Sequence, residues 1–253
     1  MAKLEVYKKL FETKSIHIKD FKLFKEGIRP HDIQINRALS DPILFDNITL
    51  LIENLIKTKN IEFDKICATS TSAIPYATNA ATSFEKPIAF ISNLDSNLDS
   101  NLDSNLDSNL DSNSPGLDLT SEHENSYATR DYIKNIKVEG GLKIDERIIL
   151  IETVVGNDFH LENIIQKIRK YGGVIVGIIV ILNICEGEYC NLLANKELIL
   201  PILNLFDIIT YLENNNMMEM FYTEKVKFYC EKETKNNIKK LIPPIADVFE
   251  DKK

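Results

Sequence analysis

RIILIETVV, residues 147–155, runs into GNDFHLENIIQKIRKYGGVIVGIIVILN, residues 156–183, and the reading of these two lines decides the fold. The apolar run Ile148–Ile151 ends in a single acid, Glu152. A short loop follows, then an amphipathic helix, then a second apolar run, Val174–Leu182. Continuous apolar runs suit strands covered on both faces, as in a parallel sheet layered between helices. In such a unit, ligands sit at the carboxyl end of the strand, where the loop opens onto the next helix N-terminus. Any chemistry should therefore be written in Glu152–His160.

Working outward, Leu4, Tyr7, Leu10 and Phe11 share one face of an opening helix. Ile16–Phe24 and Ile28–Ile35 read as strands punctuated by Gly27 and Pro30. Asp41-Pro42 is a helix start, an N-cap acid followed by proline at the first helical position, with Leu44, Ile48, Leu51 and Leu55 on the inner face. Phe63–Cys67 and Lys86–Ile91 read as strands around a helix at Ala73–Ser83. Strands at Tyr132–Val138 and Arg147–Glu152 join through Gly140-Gly141, and a helix at about Phe159–Tyr171 stops at Gly172-Gly173. A strand at Leu198–Pro201, a helix at Asn204–Leu212 and a charged helix at Met217–Lys235 complete the pattern. Alternating β and α elements with buried strands make a doubly wound α/β domain.

One stretch is unlike the rest. NLDS occurs five times in succession from Asn93 to Ser112. Asn, Asp and Ser favour caps and turns over helix interiors, and a four-residue period drifts around a 3.6-residue helix. Residues 93–126 therefore read as a flexible, acidic, low-complexity insertion. A calcium site built from the repeated Asp is the competing reading, but the repeats lack the glycines that sharp calcium-binding turns use.

Composition narrows the function classes. A net charge of −8 leaves no basic stripe for nucleic acid. Cys67, Cys185, Cys190 and Cys230 form no CxxC pair and suit a reducing, cytoplasmic compartment. No stretch approaches the ~20 apolar residues of a membrane span, and the N-terminal MAKLEVYKK has no signal-peptide core.

The order of hydrophobics, acid, Val154-Val155, loop and helix resembles the phosphoribosyl pyrophosphate (PRPP) motif of type I phosphoribosyltransferases, where two adjacent acids hold ribose hydroxyls and a loop of small residues wraps the 5-phosphate. The rest of the chain, apart from the insertion, is similar to orotate phosphoribosyltransferase in its eukaryotic form. Phe21-Lys22-Leu23 and Pro30 fall on its N-terminal hairpin. Phe63-Asp64, Cys67 and Ala73-Ile74-Pro75 fall on the segment beneath base and pyrophosphate, and Lys86-Pro87-Ile88 on the next strand. Arg130-Asp131-Tyr132 and Val138-Glu139-Gly140 match its catalytic loop and return strand, and residues 200–213 its last strand and helix. The resemblance implies a type I phosphoribosyltransferase fold: a central, mostly parallel sheet flanked by helices, with a small N-terminal hood. It implies one domain from residues 1–92 and 127–235, the insertion at 93–126, and a loose tail at 236–253.

Against that pattern the functional positions depart. The second acid is Thr153, and the phosphate loop is Gly156-Asn157-Asp158-Phe159-His160, with a like charge at Asp158 and bulk at Phe159. Phe24 replaces the hairpin lysine, beside Lys25; Ile91 and Ser92 replace two basic residues. Arg130 replaces the loop lysine, Ile133 a glycine, and Asn183-Ile184-Cys185 the motif that meets orotate. Lost cationic contacts at roughly 1.5–3 kcal/mol each weaken binding of a polyanion by many powers of ten.

Two expectations from different classes follow. The first is a catalytically inactive binding or structural protein, a homodimer or part of an assembly with another protein, with a nucleotide-like small molecule as the ligand a remnant pocket would keep. Its ligand-binding candidates are Glu152, Thr153, Gly156, Asn157, Asp158 and Lys25, with Arg130, Asp131 and Tyr132 a relic catalytic loop. No cofactor or resident metal is expected. The second is a working orotate phosphoribosyltransferase with magnesium, in which Lys25, Arg130, Asp131 and Glu152 carry the reaction. Bland roles compete throughout: Glu152 as a loop cap, and His160 as a solvent-facing residue of a first helical turn.

Overall fold

The computed structural model describes residues 2–18, 22–24, 27–29, 31–93, 136–155, 160–184 and 198–229. Apart from Asn93, the NLDS repeats lie outside these residues, as does the tail at 236–253.

The sheet is built as the apolar runs dictate. β5 (Lys65–Ala68), β6 (Ile88–Asn93), β8 (Arg147–Val155), β9 (Val174–Asn183) and β10 (Ile199–Asn204) run parallel, and β7 (Ile136–Glu139) closes one edge antiparallel to β6. The strand order is β10-β9-β8-β5-β6-β7. Both faces are covered, and β8 shows how. Ile149 and Ile151 join the core formed with α1 (Ala2–Glu12), α2 (Pro42–Thr58), α3 (Ile74–Ser83) and α5 (Leu205–Asn214). Ile148 and Leu150 face the second core, under Leu161, Ile164, Ile165 and Ile168 of α4 (His160–Lys170). Side chains alternate across a strand, so a run with no polar residue fits only where both faces are dry.

Several elements follow the sequence closely. Asp41 caps α2, its Oδ1 accepting from the Ile43 and Leu44 backbone N–H groups at 3.0 Å each. Others depart from it. The hood strands expected at Ile16–Phe24 and Ile28–Ile35 are broken into β1 (Ile16–His17), β2 (Lys22–Phe24), β3 (Gly27–Arg29) and β4 (Asp32–Ile33), paired β1 with β4 and β2 with β3. Pro30 has no N–H to continue a ladder, and Ile35–Ser40 turns into a 3-10 helix that buries Ile35 and Ala38. β8 continues past Glu152 to Val155, and β10 past Pro201 to Asn204. Within the expected charged helix Met217–Lys235, residues 220–229 are helical (α6).

The amino end of the sheet is braced by charge. The Lys65 ammonium donates to the Gly141 carbonyl at 2.7 Å and to Glu146 Oε2 at 2.9 Å, and the Lys143 backbone N–H donates to the same oxygen at 3.0 Å. Gly140 holds φ +86°, and a Cβ there would sit 2.5 Å from the Ile88 carbonyl oxygen, so the turn needs glycine on both counts. Nearby, the Arg147 guanidinium grips both oxygens of Asp64, at 3.0 and 2.9 Å. That hydrogen-bonded grip lowers the Asp64 carboxyl to about 2.

The depressed value gives a pH prediction. The pairing contributes its full stability above the ordinary Asp range of about 3.9 and loses it as pH falls through about 2. In a carbon-detected NMR titration, Asp64 should have its midpoint near 2. In an Arg147→Met variant the midpoint should rise to the ordinary carboxylate range. A midpoint in the ordinary range in the parent chain would mean the pair is not held in solution.

Candidate functional site

In chain order the sheet grows from β5 to β6 on one side, then to β8, β9 and β10 on the other. The carboxyl ends of β5 and β8 are therefore a topological switch point, where open α/β sheets leave a crevice for ligands. Two pieces of backbone meet there. One is Thr69-Ser70-Thr71-Ser72 after β5, leading through a 3-10 turn (Thr71–Ala73) into α3 with Pro75 in its first turn. The other is Glu152-Thr153 on β8.

These two pieces are laced together by hydroxyls around one carboxylate. Glu152 Oε2 accepts from Thr69 Oγ1 at 2.6 Å. Glu152 Oε1 accepts from Ser70 Oγ at 2.8 Å and from the Thr153 backbone N–H at 2.6 Å, with Thr153 Oγ1 at 3.1 Å. Ser72 Oγ lies 2.9 Å from Thr153 Oγ1 and 3.2 Å from Ser70 Oγ, which closes a ring. Thr69 also ties its own backbone N–H to the Ile151 carbonyl at 3.1 Å. Glu152 is only 5% exposed. Burying a carboxylate is tolerable where several donors replace its water, and this one has them.

The network says what the acid can do as it stands. Glu152 Oε1 already meets Ser70, the Thr153 N–H and the Thr153 hydroxyl, whereas Oε2 meets Thr69, so a ribose hydroxyl or a metal ion would compete with donors already at 2.6–2.8 Å. Magnesium typically keeps one or two carboxylates with water and phosphate oxygens. Both Glu152 oxygens already accept from protein donors, so the acid is held as part of the protein's own network. Among the described residues no group of three or more His, Cys, Asp or Glu is placed to hold a metal ion. At the neighbouring strand ends, Asn183 is buried and its Nδ2 donates to Asn204 Oδ1 at 3.2 Å. Ile91, where the resemblance expects a basic residue, is buried in the apolar core.

Of the residues singled out from sequence, the structure brings Glu152 and Thr153 together at the switch point. Lys25, Arg130, Asp131, Tyr132, Gly156, Asn157, Asp158 and Phe159 lie outside the described residues. His160 opens α4, and its side chain is likewise outside them. The members missed from sequence are Thr69, Ser70 and Ser72. Their signal was present: four consecutive hydroxyl residues between a buried strand and a proline-led helix, at the carboxyl end of a parallel strand.

No family model matches the chain. The orotate phosphoribosyltransferase of Sulfurisphaera tokodaii is 23% identical over 230 residues, covering 90% of this chain and 98% of that protein. That of Thermococcus gammatolerans is 19% identical over 208 residues, 82% of this chain and 92% of that protein. Among solved structures, UMP synthase of Leishmania donovani superposes with a TM-score of 0.63 at 16% identity, over 92% of this chain and 43% of that longer one. Orotate phosphoribosyltransferase from Aeropyrum pernix gives 0.58 at 15% identity, over 82% of this chain and 99% of that one. Adenine phosphoribosyltransferase from Thermoanaerobacter pseudethanolicus gives 0.51. With a six-stranded, mostly parallel sheet between helices and this agreement in sequence and shape, the chain has the type I phosphoribosyltransferase fold and is a divergent, orotate phosphoribosyltransferase-like protein.

Proposed function

We propose that this chain does not transfer phosphoribosyl groups and serves as a binding or structural protein, as a homodimer or with another protein, in the cytoplasm. The observation that carries this reading is the Glu152 network. The acid that should face ribose is buried and engaged by Thr69, Ser70 and Thr153. It works as a tie between two strand ends. The sequence adds an electrostatic argument. The stretches that leave β5, β8 and β9, residues 69–85, 152–166 and 174–195, contain no Lys or Arg. In sequence these stretches carry Glu152, Asp158, Glu162, Glu186 and Glu188, a composition unlike that expected around a pyrophosphate with several negative charges. Hydroxyls and amides at the strand ends suit a less charged, nucleotide-like small molecule.

A second reading has its own support. The likeness to the Sulfurisphaera tokodaii enzyme spans 98% of that protein, as it would if the reaction were kept. Lys25, Arg130, Asp131 and Glu152 would then carry the conversion of orotate to orotidine monophosphate, with magnesium.

Calorimetry separates the two. Titrating folded protein with PRPP and magnesium should give no binding heat up to millimolar ligand. Micromolar binding, followed by turnover of orotate, would overturn the first reading and establish the second.

A further inference from the structure

The direction of the hydroxyl protons around Glu152 decides what the switch point shows to a ligand. A carboxylate has only lone pairs to offer, and a hydroxyl has a single proton. Ser70 therefore donates to Glu152 Oε1 at 2.8 Å, and Thr153 turns its hydroxyl to the same oxygen at 3.1 Å. Thr69 shares its proton between Glu152 Oε2 at 2.6 Å and the Ile151 carbonyl at 2.9 Å. With the Ser70 and Thr153 protons spent, Ser72 is the donor in its contacts with Thr153 Oγ1 at 2.9 Å and Ser70 Oγ at 3.2 Å. The hydroxyl protons all point into the ring.

What remains on the outside is lone pairs. Thr69, Glu152 and Thr153 are buried, whereas Ser70 and Ser72 are half-buried. These two serine oxygens form the accessible rim, with the carboxylate charge directly behind them. The strand ends beyond have the same polarity. Asn183 donates to Asn204 Oδ1, and Asn204 donates onward to Asp207 Oδ2 at 3.2 Å, again ending on an acid. A phosphate oxygen brings further lone pairs and charge to such a rim and finds no hydroxyl proton waiting. An O–H or N–H finds an acceptor made stronger by the carboxylate behind it.

We propose that the Ser70–Ser72 rim takes an uncharged ligand through that ligand's own hydrogen-bond donors, the hydroxyl or amino groups of a nucleoside, in preference to phosphate. This deepens the reading of a nucleotide-like small molecule given above and rests on it.

The amide NMR signals of residues 69–72 and 153 report on the rim in the full-length protein. Adenosine and uridine should shift them saturably, and pyrophosphate at the same concentration should not. Ser72→Ala should weaken nucleoside binding several-fold while leaving the signals of the distant strands unchanged. Pyrophosphate tests the opposite outcome, in which backbone N–H groups of the turn outweigh the ring and gather an anion. Saturable shifts with pyrophosphate that exceed those with the nucleosides would overturn the proposal. Nucleosides that leave these signals unmoved up to their solubility limits would overturn it too, with or without a folded Ser72→Ala variant. Neither result touches the inactive reading, which falls only if PRPP binds and orotate is turned over.

Discussion

Lys65→Ala is expected to cost about 3–5 kcal/mol of folding stability, among the largest effects of any single substitution in this chain. The reason is what it leaves behind. Lys65 and Glu146 have side chains only 5% and 8% exposed. Glu146 would stay buried with the Lys143 N–H as its remaining recorded donor, and the Gly141 carbonyl would lose its ammonium partner. An isolated buried carboxylate is far more costly than an absent pair. Replacing both partners, Lys65→Met with Glu146→Leu, should therefore recover most of the loss. Urea unfolding followed by circular dichroism reads both results, and a single-variant cost below about 1 kcal/mol would show that water reaches the pair. The brace also bears on the site at a distance. It fixes β5 against the turn that leads into β8, and the register of those two strands sets where Thr69 and Glu152 meet.

Glu152→Ala is expected to cost about 3 kcal/mol, with Glu152→Gln costing roughly half. Alanine leaves the hydroxyls of Thr69 and Ser70 and the Thr153 N–H without their acceptor. Glutamine keeps one acceptor oxygen but brings its NH2 against donors. The sign of this result speaks to function. Residues held for a ligand are commonly a drain on stability, so removing a ribose-binding acid leaves the melting temperature unchanged or higher. A tie between strand ends behaves the other way. At roughly 2–4 °C per kcal/mol for a domain of this size, the alanine variant should melt about 6–12 °C lower. A melting temperature equal to or above that of the parent chain would return Glu152 to the role of ligand.

The sheet was legible because β8 and β9 have no competing reading: nine- and ten-residue strands whose apolar runs need cover on both faces. The start of α2 was legible because Asp41-Pro42 acts locally, through donors two and three residues on. The hood was misread for the opposite reason. Its short strands pair across a hairpin of few residues, and the 3-10 helix at Ile35–Ser40 has no periodicity long enough to announce itself. The hydroxyl ring was missed because it joins residues more than 80 positions apart. No window on the sequence shows that Thr69 will face Glu152. Only the parallel pairing of β5 with β8, Ala68 beside Ile151, places them together.

The antiparallel closure of the sheet edge has a consequence for how this gene can vary. Asn93 and Ile136 are paired neighbours on β6 and β7, so everything between them begins and ends at a single rung of the ladder. For a flexible connection, the entropy of closure grows only with the logarithm of its length. Gaining or losing one four-residue unit in a connection of roughly 40 residues changes that cost by about 0.1 kcal/mol. Slippage in the DNA that encodes the tetrapeptides would thus be almost invisible to folding. Chains with different numbers of NLDS units should melt together, and the repeat count is free to drift or to be set by something other than stability.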